Sequence, residues 1–211
     1  MLSDRARVLA LEDLWSRLEW VHRTDPDRAR SIGCTHTPFY ALTPRAAAEQ
    51  VDELARRNII DSQTEGAVKG LLDLLFAAIR DEDRVLNHSD AGLHNTLWDG
   101  ARAIPIDFEF ACLAPRDLDL ELLFRQLSAN GTAFQRLREL ADGHLRRQGS
   151  RDRLVGYALL RDLWALRLWL HYADSYGRGR TWPPQEIGEW DPWRRVIEHS
   201  RNEGHLIELW A

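Results

Sequence analysis

"VLNHSDAGLHNTLW", residues 85–98, sets Asp90 two places after His88 and Asn95 five places after Asp90. Apolar residues flank the cluster and read as short strands, "RVLNH" before it and "HNTLWD" after it. A third strand follows at "AIPIDFE" (103–109), closing on a carboxylate, Asp107. Between the last two, "WDGARAI" carries Asp99-Gly100, a hairpin signal because glycine accepts the positive φ that tight turns require. The hairpin would set Asp107 beside the polar loop. How that loop is read decides the fold.

Three chemistries fit the residues. His88, Asp90 and His94 offer imidazole and carboxylate, ligands that suit zinc; yet His144, His171, His199 and His205 are scattered without the paired spacing of a second ligand element. In a second reading Asp90 and Asn95 cap a turn, and His88 is a hydrogen-bonded core histidine. The third joins the loop to "IPIDFE". Asn95 and Asp107, facing each other across the hairpin, make a hard-oxygen site suited to magnesium carrying phosphates. Asp90 then faces the same space, placed to orient an attacking hydroxyl and accept its proton. That is the minimal apparatus of phosphoryl transfer, in which positioning and charge neutralisation do most of the catalysis.

Outward from the loop the chain reads as helical. Val8, Leu11, Trp15, Leu18 and Val21 recur at helical spacing over 5–23, and Pro26 ends that helix for want of an amide hydrogen. Residues 28–43 read as a loop. Thr43 and Pro44 are N-cap and first-turn residues of a second helix, with Ala47, Val51 and Leu54 on one face. "TEGAVKGLLDLLFAAIRDED" (64–83) is a third. Beyond the strands, helices are expected at 117–128, 132–148 and 152–174; "GRGRTWPP" breaks the chain and a last helix closes it over 191–209. The plan is one domain over 1–211, mainly α with a small β-hairpin insert that carries the polar cluster.

Bulk properties exclude several classes. A formal charge of −5 and a pI near 5.9 give no field for nucleic acid or an acidic membrane surface. No apolar run reaches the roughly 18–20 residues of a membrane span, and the start "MLSDRARVLALEDLW" lacks the apolar centre of a signal peptide. Cys34 and Cys112 have no metal-ligand spacing and point to reduced thiols in a cytoplasm. The chain has nine tryptophans, and of its 28 basic residues only Lys69 is a lysine.

"HSDAGLHN" followed by "IDFE" resembles the catalytic and metal loops of the aminoglycoside phosphotransferase and choline kinase superfamily, kin to protein kinases. "PRDLDLELL" is similar to the segment that follows the metal loop there. Two motifs in order are far more specific than either alone, and the likeness extends over about residues 8–128. It implies a kinase-like carboxy-terminal lobe, with catalytic and metal loops at 85–110 and a helical acceptor side at 117–211. Asp90 would be the catalytic base, His88 the histidine bracing the loop, and Asn95 and Asp107 the Mg2+ ligands. Leu97 would lie beneath the adenine of ATP (or the base of GTP), with Ile106 packed near it. Glu109 is a lesser candidate for metal-bound water or acceptor. Asp119, with Asp117 as its rival, would fix backbone behind the site. Ser89 stands where the family commonly has glycine, and Ala91-Gly92-Leu93 departs from its usual Leu-His-Pro-Gly.

The resemblance also implies a β-rich amino-terminal lobe with a phosphate-holding lysine and a glycine-rich loop. Lys69 falls in a helical segment, and no strand of 1–80 carries a substitute. The expectation is therefore a carboxy-terminal lobe alone. It would be completed by a partner chain or covered by a second copy, and would act on a small-molecule acceptor such as an aminoglycoside, choline or related amine or sugar; the alternative is an inactive lobe serving as a binding or regulatory module. Leu160, Trp164, Arg167 (or Leu168) and His171, with Trp169, Tyr172 and Tyr176 beside them, read either as core packing or as an acceptor pocket. In the pocket reading the aromatic faces hold an amine by cation–π attraction, or Asp162, Asp174 and Glu186 bind amino groups. Arg178 and Arg180 read as a solvated turn.

Overall fold

The computed structural model describes residues 3–129, 134–147 and 149–176. Helix α1 (Asp4–Val21) starts where Ser3 Oγ accepts the Ala6 amide at 3.3 Å. Pro26 does more than stop it. With Asp25 as N-cap it opens a short helix α2 (Pro26–Ser31), inside a stretch expected to be loop from residue 28. Proline without an amide hydrogen is suited to a first turn, where that hydrogen has no partner in any case.

Helix α3 (Pro44–Arg56) is capped by Thr43 as expected, and α4 (Ser62–Ala77) by Asp61. The sequence pattern runs α4 on to residue 83, but it stops six residues earlier. Arg80 forks onto both carboxylate oxygens of Asp83 (3.1 and 3.0 Å) and the chain tightens into a 3-10 turn at Asp81–Asp83.

Two small antiparallel sheets follow rather than one insert. Strand β1 (Arg84–Asn87) pairs with β4 (Cys112–Pro115), with Asn87 opposite Cys112. Strands β2 (Thr96–Trp98) and β3 (Ala103–Pro105) form the expected hairpin, Leu97 opposite Ile104. Its turn is held by Asp99, whose Oδ1 accepts the amides of Ala101 (2.8 Å) and Arg102 (2.7 Å), and by Gly100 at φ +101°. Strand β4 escaped the sequence reading because all four of its residues are buried. A strand covered on both faces shows no alternation, the signal by which strands are recognised.

Helices α5 (Asp117–Ala129), α6 (Phe134–Arg147) and α7 (Arg151–Tyr176) follow, close to their expected bounds. The expected break at 177–184 and the last helix at 191–209 lie outside the described residues. One apolar core joins α3, α4, β4, α5 and α7 through Val51, Leu54, Leu72, Leu75, Ala114, Leu118, Leu163 and Leu166. A second joins α1, the hairpin and α5 through Leu11, Leu14, Leu18, Ala103, Leu120 and Phe124. Each fully buried leucine contributes roughly 1.5–3 kcal/mol. The polar loop between β1 and β2 is thus clamped on both sides by close-packed helices. Cys34 and Cys112 are free thiols, and no described helix is long and apolar enough to cross a membrane.

Candidate active site

The loop is anchored at its first residue. Asn87, fully buried, donates its side-chain amide to the carbonyls of Val85 (3.0 Å) and Ala114 (2.7 Å), tying the end of β1 to β4. His88 follows, also fully buried. Its Nε2 donates to the Ile106 carbonyl at 2.8 Å, its Nδ1 accepts the Asp90 amide at 3.3 Å, and its ring lies 4.3 Å from that of Phe108. Both ring nitrogens are spent on backbone, so His88 has no lone pair for a metal. Among the described residues no group of three His, Cys, Asp or Glu could hold a metal ion. The zinc reading closes there.

Ser89 takes φ +66°, a region glycine enters freely and other residues at a cost. Its surroundings hold it there. The amide donates to Asp119 Oδ1 at 2.8 Å, and the hydroxyl donates to the Phe110 carbonyl at 2.5 Å and is bonded to the Thr37 hydroxyl at 3.1 Å. Asp119, buried on α5, also accepts the His88 amide (3.0 Å) and His22 Nε2 (3.0 Å), so one carboxylate joins α1, α5 and the loop. Its rival Asp117 is occupied elsewhere: it accepts from His144, Ser150 and Arg153 at the α6–α7 junction.

Asp90 comes next, its side chain 17% exposed. Oδ2 accepts Asn95 Nδ2 at 3.1 Å and lies 3.3 Å from His94 Nε2; Oδ1 accepts Arg161 Nη2 at 3.4 Å. Burial by itself would raise this carboxyl, but the hydrogen bond from His94 and the charge of Arg161 outweigh it and hold the group below its ordinary range. Asn95 spends its amide nitrogen on Asp90, bonding the backbone carbonyl (3.0 Å) as well as Oδ2, which leaves its Oδ1 for another partner.

Asp107 is not at the end of a strand, as the sequence suggested. Proline cannot donate to a ladder, and β3 stops at Pro105. Ile106 adds one last bond, its amide to the Asn95 carbonyl at 3.0 Å, and the chain then turns through Asp107 at φ +64°. Asp107 remains one residue from the backbone of Asn95, exposed, in a conformation that aspartate tolerates better than most side chains. Glu109 is exposed nearby. Leu97, Ile104, Ile106 and Phe108 are exposed by 37–56%, forming an apolar strip beside the loop. Leu97 and Ile104, as cross-strand partners, share one face of the hairpin.

Residues that the sequence reading missed complete the site. Thr37 and His22 brace it from the amino-terminal third, and Arg161 reaches Asp90 from α7. No local pattern marks them; they lie 52, 97 and 71 positions from their partners. For the aromatic helix the structure bears out the core-packing alternative at Leu160 and Trp164. Trp164 packs against Phe39 with ring centroids 4.9 Å apart and joins the larger core, and Arg161 already lies over its ring. Asp162 is fully buried and paired with Arg125 at 2.7 Å, so it offers no carboxylate to an acceptor. Arg167 pairs with Glu53 at 2.8 Å, and His171 is exposed. The side chains of Trp169, Tyr172, Asp174 and Tyr176, and residues 177–211 with Arg178, Arg180 and Glu186, lie outside the described residues.

Comparison with known proteins identifies the family and the fold. The model of the phosphotransferase enzyme family, APH, matches residues 1–163. The chain belongs to that family. The match takes in the polar loop, the hairpin and α7 as far as Arg161. No curated protein sequence matches. Among solved structures the chain is similar to a spectinomycin phosphotransferase, crystallised with ADP and spectinomycin, at 16% identity and a TM-score of 0.53. The match covers 95% of this chain and 66% of that one, so the chain spans a little under two thirds of its neighbour's length. At that identity the likeness concerns the fold: a mostly helical, kinase-like architecture of the APH type.

Proposed function

We propose that this APH-family chain carries the catalytic and metal loops of a small-molecule phosphotransferase, moving the terminal phosphoryl group of ATP or GTP to an acceptor hydroxyl. The observation that carries the reading is the convergence at one loop of a charged, half-buried Asp90 with Asn95 and Asp107. Asp90 Oδ2 and Asn95 Nδ2 are bonded at 3.1 Å, and the Asn95 carbonyl is bonded to the residue before Asp107. Asp90 is the base: held ionised by its neighbours, it orients the hydroxyl and accepts its proton. His88 braces the loop through backbone, and Asp119 fixes its amides.

The donor set suits magnesium. Two hard oxygens, Asn95 Oδ1 and an Asp107 carboxylate engaged by no hydrogen bond or ion pair among the described residues, match an ion that takes one or two protein ligands and completes its shell with phosphate and water. Bound there, magnesium would neutralise phosphate charge. The exposed strip of Leu97 and Ile106 supports the floor of a nucleotide-base site, for which a stacked purine supplies apolar cover. Lys69, the one lysine, sits on α4 paired with Asp52 and Glu65, both at 2.7 Å, and lies on no strand. A phosphate-holding cation and glycine-rich loop are therefore to be supplied by a further lobe, from the same polypeptide or a partner chain, which would also cover the strip; a second copy of the chain is the alternative cover. Cys34 and Cys112 as free thiols are consistent with action in the cytoplasm.

The test is a calorimetric titration of the 211-residue chain with ATP and magnesium, then phosphate-transfer assays on aminoglycosides, choline, sugars and polyols. Weak nucleotide binding that strengthens when a β-rich lobe is supplied, with transfer lost in Asp90→Asn, is the expected result. Transfer undiminished in Asp90→Asn would overturn the reading.

A further inference from the structure

Beyond its hold on Asp90, Arg161 is costly to keep. It comes from α7, its side chain is 12% exposed, and its Nη1 is buried without a hydrogen-bond partner among the described residues. Burying a cation demands compensation. Here that comes from two sources. One is Asp90, at 3.4 Å. The other is a ring of aromatic faces: the guanidinium carbon lies 4.2 Å from the Phe39 centroid, 5.0 Å from Trp164 and 5.7 Å from Tyr40.

Three aromatic rings about one cation, beside the residue that would receive the acceptor's proton, make the arrangement by which proteins hold quaternary and protonated amines. In this chain the cage is already filled from within. The carboxylates behind it are committed as well. Glu121 accepts the Tyr40 hydroxyl at 3.1 Å and pairs with Arg125, which also pairs with Asp162. Arg161 thus draws its countercharge from Asp90, and the pair presents no net negative charge to an incoming molecule.

We propose that Arg161 is a built-in cation that occupies the acceptor-side aromatic cage, so that the acceptor is a hydroxyl compound, neutral or anionic, with no ammonium group beside its reacting oxygen. This rests on the phosphotransfer reading for the word acceptor, but the cage and its occupant are properties of the structure. A cationic acceptor would have to displace a buried guanidinium or sit against its charge; a sugar, polyol or hydroxy acid would meet neither obstacle and could accept hydrogen bonds from the same group. Of the acceptors that the family resemblance suggests, the choice falls on sugar-like alcohols over aminoglycosides and choline.

The experiment uses tetramethylammonium as a probe of the cage, titrated calorimetrically into the purified chain and its Arg161→Ala and Arg161→Gln variants, each checked for folding by circular dichroism. The wild type should bind no probe measurably. Arg161→Ala should bind it, and Trp164→Leu placed in that background should weaken the binding at least tenfold. Arg161→Gln, which fills the cage without charge, keeps the comparison available if the alanine variant does not fold, and should bind more probe than the wild type. Equal binding by wild type and variants would overturn the proposal, and so would absence of binding from both folded variants, since the rings would then hold no cation once the guanidinium is gone. These outcomes do not depend on turnover. If Asp90→Asn leaves transfer intact while the cage behaves as stated, the phosphotransfer reading fails and the cage stands.

Discussion

The Ser89 amide donates to Asp119 Oδ1 at 2.8 Å, across 30 residues of chain, and this bond fixes a residue held at φ +66°. The second oxygen of the same carboxylate takes the amide of His88 and the ring of His22. Loop conformation, and with it the direction of Asp90, is thereby set from α5. Asp119→Ala leaves two buried amides and a buried imidazole without their acceptor. At about 1–3 kcal/mol for each stranded donor, a loss of about 3–5 kcal/mol is expected in urea unfolding. Asp119→Asn, which keeps an acceptor oxygen, should lose less; equal losses would show that the carboxylate's amide bonds are not what matters.

Ser89 offers a test of strain. Glycine at this place gives up hydroxyl bonds to Phe110 and Thr37, about 1 kcal/mol net for each, but relieves a backbone cost of about 1–3 kcal/mol. Ser89→Gly should therefore sit within about 1 kcal/mol of the parent. Ser89→Val loses the bonds and adds a β-branched side chain at positive φ, and should fall by more than about 2 kcal/mol. Chemical denaturation of the pair reads the difference, and near-equal stabilities would remove strain from the account.

Asp107 is exposed and makes no bond among the described residues, so its side chain contributes little to folding. Asp107→Asn should retain the parental melting temperature and lose most magnesium-dependent nucleotide turnover, about 100-fold or more if the carboxylate holds the ion that neutralises phosphate charge. Turnover measured with the complete lobe pair decides; near-parental rates would remove Asp107 from the metal site.

The Asp90 carboxyl lies below its ordinary value of 3.8. A group lowered on folding contributes stability that is fully present above its unfolded value and is lost as the pH falls through the folded one. The base should therefore stay charged down to below pH 3.8, and acid loss of function above that pH belongs to other groups. His94→Ala or Arg161→Gln each removes a lowering influence and should move the Asp90 titration upward, read from its carboxyl carbon by NMR. A downward shift would contradict the geometry.

Gly156, inside α7, faces Leu75 so closely that an added Cβ would meet the leucine Cβ at 2.4 Å. Alanine gains up to about 1 kcal/mol of helix propensity over glycine, but overpacking against an atom fixed to the backbone costs about 1–3 kcal/mol. The clash should win, with Gly156→Ala destabilised by about 1 kcal/mol or more and a thermal melt as the measure. A rise in melting temperature would mean that α4 and α7 separate easily.

Legibility in the sequence followed the range of the interactions. Residue order alone determined the helices α1 and α3 to α7, the hairpin at Asp99-Gly100, and the association of "HSDAGLHN" with "IDFE", because caps, periodicity and turn chemistry act within a few residues. It also determined that Asp90, Asn95 and Asp107 belong to one neighbourhood, since a hairpin between them leaves no other arrangement. Tertiary structure decided the rest. Strand β4 was hidden because burial on both faces erases alternation, and α2 because a proline that ends one helix can equally begin another. The choice of Asp119 over Asp117 was settled by which helix face meets the loop. That Trp164 has Arg161 over its ring, and that Arg161 reaches Asp90, depends on α7 crossing the loop 71 residues away in sequence. Such contacts arise only when separate helices pack, and no local pattern of residues records them.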